Sequence, residues 1–228
     1  MKALHQMRRR LCGCAENKFI SDGASKGERM DYGWILAKLT SQGLEKRGIL
    51  DAGCGGGFFL SQLSEEFAKM EPYGIDINKK ELSFAKKRFR TNFILSSATD
   101  LPFQTSSMDT IVCHNLLHHL TKNSRSLSEK NIKKTLSEMN RVLKEKGYFL
   151  IIEQCVKSKL MSHLIFLYTS LLSILSGQPW TVSFLTPQEI YKLFTGAIVE
   201  KREKHSRSKI YFRIKFARIY IVSARIVR

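Results

Sequence analysis

Residues 49–60 read ILDAGCGGGFFL, so that Asp51, Gly53, Gly55 and Gly57 occupy every second position. A carboxylate beside unhindered main chain lets a small polar ligand approach the backbone closely and selects the sign of its charge. A triphosphate loop would need Gly-Lys-Ser/Thr, whereas Gly57 is followed by Phe58 and Phe59, which excludes that ligand. A dinucleotide turn would place its third glycine where Phe58 stands, which argues against pyrophosphate. What remains is a ligand whose near end is cationic, because Asp51 would repel a phosphate and attract an ammonium. Asp76 follows 19 residues after Gly57, then Asp100, then the pair His118-His119. Imidazoles titrate near neutrality.

The elements that must carry these residues alternate regularly. Arg47–Ala52, 73–77, 92–97, 109–115 and 148–153 are apolar runs of strand length. Between them lie segments with helical spacing: Leu60, Leu63 and Phe67; Leu82, Ala85 and Phe89; then Ile132, Leu136, Met139 and Leu143. Asn78 with Glu81, Ser126 with Glu129, and Thr186-Pro187 with Glu189 have the spacing of helix starts. Such alternation predicts right-handed crossovers and a largely parallel, doubly wound α/β sheet. The C-terminal stretch alternates apolar and basic residues about a polar turn near 206–209, which predicts an antiparallel hairpin and brings the expected sheet to seven strands. Residues 1–27 read as a basic flexible arm and 28–228 as one domain, with 155–185 as a helical insertion expected to act as a substrate lid. In that insertion Leu160, Leu164, Leu167, Leu171, Ile174 and Leu175 share one side of a helix. Ser162, His163, Thr169, Ser170 and Ser173 share the other. The segment is too short and polar for a membrane span, and its uncharged hydroxyl face suits a partly buried element or a cavity wall.

The glycine stretch resembles motif I of the class I S-adenosylmethionine-dependent methyltransferases, and the later segments keep that family's order. YGID (73–76) ends at the acid that the resemblance assigns to the ribose hydroxyls, Asp76. SSATDLPF (96–103) is similar to the segment whose acid, here Asp100, accepts from the adenine amino group. MDTIVCHNLLHHL (108–120) and EMNRVLKEKGYFLIIE (138–153) resemble the two motifs that follow, with Lys146 where the family has glycine. The likeness, to the small-molecule branch grouped as type 11, covers about residues 28–200. It implies S-adenosyl-L-methionine as cofactor, held by Asp51, Gly53, Cys54, Gly55, Asp76, Ile77, Thr99, Asp100, Leu101 and Asn115. It places His119 and His118 nearest the acceptor, as catalytic candidates.

The methyl acceptor is constrained by absences. Asn115-Leu116-Leu117-His118 lacks the proline pair of amino-methylating enzymes. The insertion, with Trp180 and Phe184, suits a quinone-, polyketide- or lipid-like acceptor. A net charge of +18 opens an alternative, because it attracts polyanions. Ten basic residues crowd the last 28 positions against one acid, Glu203, so RNA or the ribosome is a competing target. Contact with an anionic membrane surface is a third reading, and a cofactor-binding module without turnover is the reading outside the enzymes. The five cysteines are scattered, and Cys12-Gly-Cys14 lacks a partner pair at zinc spacing, so no metal is expected. Unpaired thiols and the lack of an apolar leader point to a reducing cytoplasm. Oligomeric state is not written in the sequence.

Overall fold

The computed structural model describes residues 32–41, 43, 48–67, 70–121, 124–177, 181–192, 198–205 and 217–225. The expected N-terminal arm, Trp180 and the polar turn at 206–209 lie outside the described residues, as do the side chains of the basic C-terminal alternation and hence the expected RNA-binding stripe.

Five parallel strands form the centre: β1 (Ile49–Ala52), β2 (Pro72–Asp76), β3 (Asn92–Leu95), β4 (Met108–His114) and β5 (Leu143–Val156). Helices α1 (Gly33–Ser41), α2 (Phe58–Glu66), α3 (Lys79–Arg88) and α4 (Arg125–Val142) cover both faces of the sheet. Two C-terminal segments, β6 (Ile198–His205) and β7 (Ala217–Arg225), extend the sheet, whose order is β3-β2-β1-β4-β5-β7-β6. β7 runs antiparallel to β5, and β6 antiparallel to β7.

The central strands read as unbroken apolar runs because both of their faces are covered. Along β4, Ile111 and Cys113 pack with Ile132, Leu136 and Met139 of α4. Val112, between them, points the other way, toward Ile35, Leu60 and Leu82 of the opposite layer. The same alternation places Leu50 and Ala52 on one face and Ile49 on the other. Truncating such a side chain, for example Ile111→Ala, removes about 2–5 kcal/mol.

Helix starts follow the residues that can cap them, with one displacement. Asn78 accepts from the backbone N–H groups of Lys80 and Glu81, as its spacing predicts. Glu81 does not complete the box, because the N–H of Asn78 donates to Asp76 Oδ1 at 2.7 Å. The Thr186–Glu189 box forms, opening the short helix α6 (Pro187–Lys192). For α4, however, the cap is Ser124, which accepts from Leu127 N at 3.2 Å, and not Ser126. Glu129 instead pairs with Arg125, one helical turn before it.

The insertion is a single helix, α5 (Lys159–Ser176), capped by Ser158 and closed by Gly177 in the left-handed conformation. By length and composition it reaches what a membrane crossing requires, where the sequence reading placed it short of that. Of its hydroxyl face, His163 is exposed, whereas Ser162 and Thr169 pack inward together with Leu172. The cause is the segment 181–186. This runs beside the end of β5, bridging Cys155 to Leu185, and turns backbone groups toward the helix. Ser162 Oγ donates to Phe184 O at 2.5 Å, and Val182 N donates to Thr169 Oγ1 at 3.3 Å. Buried main-chain groups need polar partners, and hydroxyls supply them without burying charge.

Candidate functional site

Strand order reverses between β1 and β4, which puts a crevice at the carboxyl ends of those two strands. The glycine turn leaves β1 there, and its geometry is set by inward hydrogen bonds. Gly53 N and Cys54 N both donate to Ile75 O at 2.9 Å, Gly55 N donates to Asp76 Oδ2 at 2.8 Å, and Gly57 N donates to Cys54 O at 3.0 Å. Four of the five N–H groups from Gly53 to Gly57 are therefore already used. A turn with its donors directed inward is poorly suited to an anion, which agrees with the sign read from Asp51.

Two glycines show what the turn requires. Gly55 has φ of 51°, and an added Cβ would touch nothing within 4 Å, so main chain is open to a ligand there. Gly57 has φ of 77°, and a Cβ there would lie 2.6 Å from Phe93 Cζ. Any side chain at Gly57 would separate α2 from the strand behind it.

Asp51 is only 3% exposed, and its Oδ1 has no hydrogen-bond partner. Burial, with the neighbouring charge of Asp76 as a second cause, pushes its carboxyl up to about 8. An acid held in that state is stabilised by an incoming cation. Burial, with the nearby Asp51 charge, raises the phenol of Tyr32 as well. Tyr32, at the start of α1, meets the ring of His114 edge-on at 5.8 Å.

Asp76 spans the turn and the next helix, with one oxygen on Gly55 N and the other on Asn78 N. Each oxygen keeps a second lone pair. Ile77, next in the chain, is 76% exposed, an unusual position for a large apolar side chain beside a crevice.

The loop after β3 brings Thr99, Asp100 and Leu101 to the same end of the sheet. Asp100 is exposed, while Leu101 is buried. Arg141 holds this loop from α4, donating to Leu101 O at 3.0 Å and to Phe103 O at 2.8 Å. Glu138 fixes Arg141 and also accepts from Leu101 N at 3.0 Å. The arginine of the R-V-L-K stretch is thus a loop clamp. Its lysine, Lys144, pairs with Asp109 at 2.8 Å.

After β4 the chain turns through Asn115, a non-glycine residue with φ of 54° whose Oδ1 is buried without a partner. A single 3-10 turn, Leu117–His119, follows. His118 is buried, its ring between His119 (centroids 4.0 Å) and Phe184 (5.0 Å). Its Nδ1 lies 2.5 Å from Glu153 Oε1, and Glu153 also accepts from Leu117 N and Gln154 N. With the carboxylate accepting from Nδ1–H, His118 Nε2 is the remaining nitrogen, and it is buried without a partner. His119 opens to solvent from a densely packed surround. That desolvation, then the proximity of His118, lowers its imidazole to about 3.

Glu153 is the residue that the sequence reading missed. The available signal was an acid closing the otherwise apolar run YFLIIE, where a buried carboxylate must find partners. Of the expected residues, Asp51, Gly53, Cys54, Gly55, Asp76, Asn115, His118 and His119 gather at the ends of β1, β2 and β4. Asp100 and Thr99 stand on the neighbouring loop, whereas Leu101 directs its side chain into the core.

The unpartnered Asp51 Oδ1, the open main chain at Gly55 and the spare acceptors of Asp76 fit a small ligand with a cationic end and a hydroxyl-bearing ring. Comparison with known proteins agrees. Residues 50–151 match the family model described as a methyltransferase domain. The chain is 30% identical over 110 residues to the fatty-acid O-methyltransferase of Mycolicibacterium smegmatis, covering 47% of this chain and 37% of that protein. It is 30% identical over 117 residues to the malonyl-[acyl-carrier protein] O-methyltransferase of Legionella pneumophila, covering 50% and 38%. The fold is shared with a crystal structure of an S-adenosylmethionine-dependent methyltransferase from Methanosarcina mazei. That pair has a TM-score of 0.62 and 18% identity, over 80% of this chain and 93% of the other. The matches span less than half the length of the curated relatives.

Proposed function

From membership of the class I, type 11 S-adenosylmethionine-dependent methyltransferases, carried by residues 50–151 and by the fold, we propose that this chain transfers a methyl group to a small acceptor with an apolar body. The observation that carries this reading is the acid-flanked, donor-depleted turn at the reversal of strand order. When bound, S-adenosylmethionine supplies an electrophilic methyl carbon on a sulfonium centre. Asp51 would face the cationic amino-acid end, where its raised carboxyl favours a cationic partner. Asp76, with its spare lone pairs, would accept from the ribose hydroxyls, and Asp100 from the adenine amino group. Exposed Ile77 would cover the base, while Gly53, Cys54, Gly55, Thr99 and Asn115 would complete the wall; Leu101, turned into the core, anchors the loop instead.

Catalysis on this frame is chiefly alignment, since methyl displacement needs no protein nucleophile. Of the two histidines, His119 is the one open to an acceptor. Its packed surround lowers the His119 imidazole and makes it a weaker base. An acceptor already ionised at neutral pH, such as the carboxylate of an acyl chain, needs no base, which leaves His119 as an orienting group. Names of two relatives point the same way, both being O-methyltransferases of acyl substrates.

The test is transfer of labelled methyl from S-adenosylmethionine to a long-chain fatty acid and to a phenol of similar size. Labelled ester, with His119→Asn keeping turnover within about tenfold, is the expected result. Label in the phenol alone, with turnover abolished in His119→Asn, overturns the carboxylate reading. Cofactor binding with no label in either acceptor or in a metabolite extract would leave a binding module instead of an enzyme.

A further inference from the structure

The hydroxyl face of α5 packs inward, so its apolar face turns to solvent. Leu160, Leu164, Leu167, Leu171, Ile174 and Leu175 are each between 53% and 78% exposed. They follow one another at spacings of four and three along the helix, which keeps them in one stripe. Ordinary surface leucines are scattered singly; a continuous stripe of this kind marks a place where something docks.

The charge around the stripe identifies its partner. From Gln154 to Gln188 the chain contains no acidic residue. The basic residues of that stretch are Lys157, Lys159 and His163, all exposed at the start of α5. A second copy of this chain would also bring a net charge of +18 to the contact, and such charges repel. An anionic surface with an apolar interior satisfies both features. We infer that the exposed leucine stripe of α5, flanked by Lys157 and Lys159, docks this protein on an anionic lipid bilayer, with the helix lying in the plane of the interface.

The geometry explains why a helix long and apolar enough to cross a membrane lies flat. Ser162 is tied to Phe184 O, and Thr169 to Val182 N, so one side of α5 belongs to the domain. Arg125 adds a tether from α4, donating to Ser162 Oγ at 2.6 Å and to Glu189 at 3.2 Å. The polar side that an interfacial helix normally turns to water is here turned to protein. The apolar side alone is available to acyl chains, and the lysines sit at the level of lipid phosphates. This inference rests on the surface of α5 and not on methyl transfer, so it stands or falls separately from the activity.

The experiment is flotation of the full chain with phosphatidylcholine vesicles, and with phosphatidylcholine–phosphatidylglycerol vesicles, at low and high salt. The doubly substituted Leu167→Glu, Leu171→Glu chain is run alongside, with thermal melting and sedimentation velocity on both proteins. Expected is flotation with the anionic vesicles, weakened by salt, and a bound fraction at least about tenfold lower in the variant. The variant should melt as the wild type does, because neither leucine is buried. The inference is overturned if the wild type floats with no vesicle, or if the variant floats equally well. It is also overturned if the wild type is a dimer that the substitutions dissociate, which would assign the stripe to a second copy. A lower melting temperature in the variant would assign it to a segment of this chain, with the same consequence.

Discussion

The glycine turn and α5 handle polar side chains in opposite ways. At the turn an acid is buried before it is satisfied: Asp51 keeps an oxygen without a partner, and its carboxyl sits near 8. At α5 hydroxyls are buried because they are satisfied, Ser162 by Phe184 O and Thr169 by Val182 N. The first arrangement leaves the free protein with an uncompensated acid that a cationic ligand stabilises. The second pairs its polar groups within the domain and leaves apolar surface outside. Asp51 and the hydroxyls of α5 thus differ in where unsatisfied chemistry remains, not only in residue type.

The contrast is broken most severely at Glu153, where satisfied burial is carried furthest. Glu153→Ala strips the partner from buried His118 and two backbone donors, and should destabilise the fold by about 3–5 kcal/mol in denaturant unfolding. At the turn, Asp76→Asn keeps the size but loses the charge and one of the two acceptors that hold Gly55 N and Asn78 N. It should weaken cofactor binding by about 100-fold, or about 2.7 kcal/mol, in calorimetry. Ser162→Ala removes a donor to a buried carbonyl and should lower stability by about 1–3 kcal/mol. An unchanged melting temperature would mean that the hydroxyl face does not hold the helix. The smallest effect is expected at Lys146, which adopts φ of 60° where the resembled family has glycine. Lys146→Gly should raise stability by up to about 1 kcal/mol, read as a slightly higher melting temperature.

Most of the turn was legible in the sequence, because chemistry demands particular residue types at fixed spacing. Residue type and spacing alone place Asp51, Gly55 and Asp76 on their elements and give the turn its charge preference. The buried stripes of α2, α3 and α4 were legible for a similar reason, since periodicity alone defines an inner face. The cap of α4 was misread by two residues because Ser126 and Glu129 have the spacing of a capping box. Arg125 must nevertheless lie inside the helix to reach Ser162 and Glu189, and both of those partners are distant in sequence. Glu153 escaped for the same cause, its partner being 35 residues away. For α5 the sequence defined two faces, but not which of them turns inward. What it could not supply was the exposed state of the leucines, which depends on how the other described residues pack around the helix.

On the proposed function, recognition at the turn rests on buried Asp51, whose raised carboxyl would ionise to receive a cation. Its pH dependence follows from the raised carboxyl. Below about pH 8 the free protein holds a proton on Asp51 that the complex gives up, so affinity should rise with pH and level off above it. The same raised carboxyl favours the folded state at low pH, a contribution lost as pH climbs through about 8. The most direct measurement is calorimetry of S-adenosylmethionine binding at pH 7 in two buffers of different ionisation enthalpy. Binding with release of close to one proton is expected for the wild type, and binding without release for Asp51→Asn. Absence of binding, or an identical proton count in wild type and Asp51→Asn, would contradict the role given to this carboxyl.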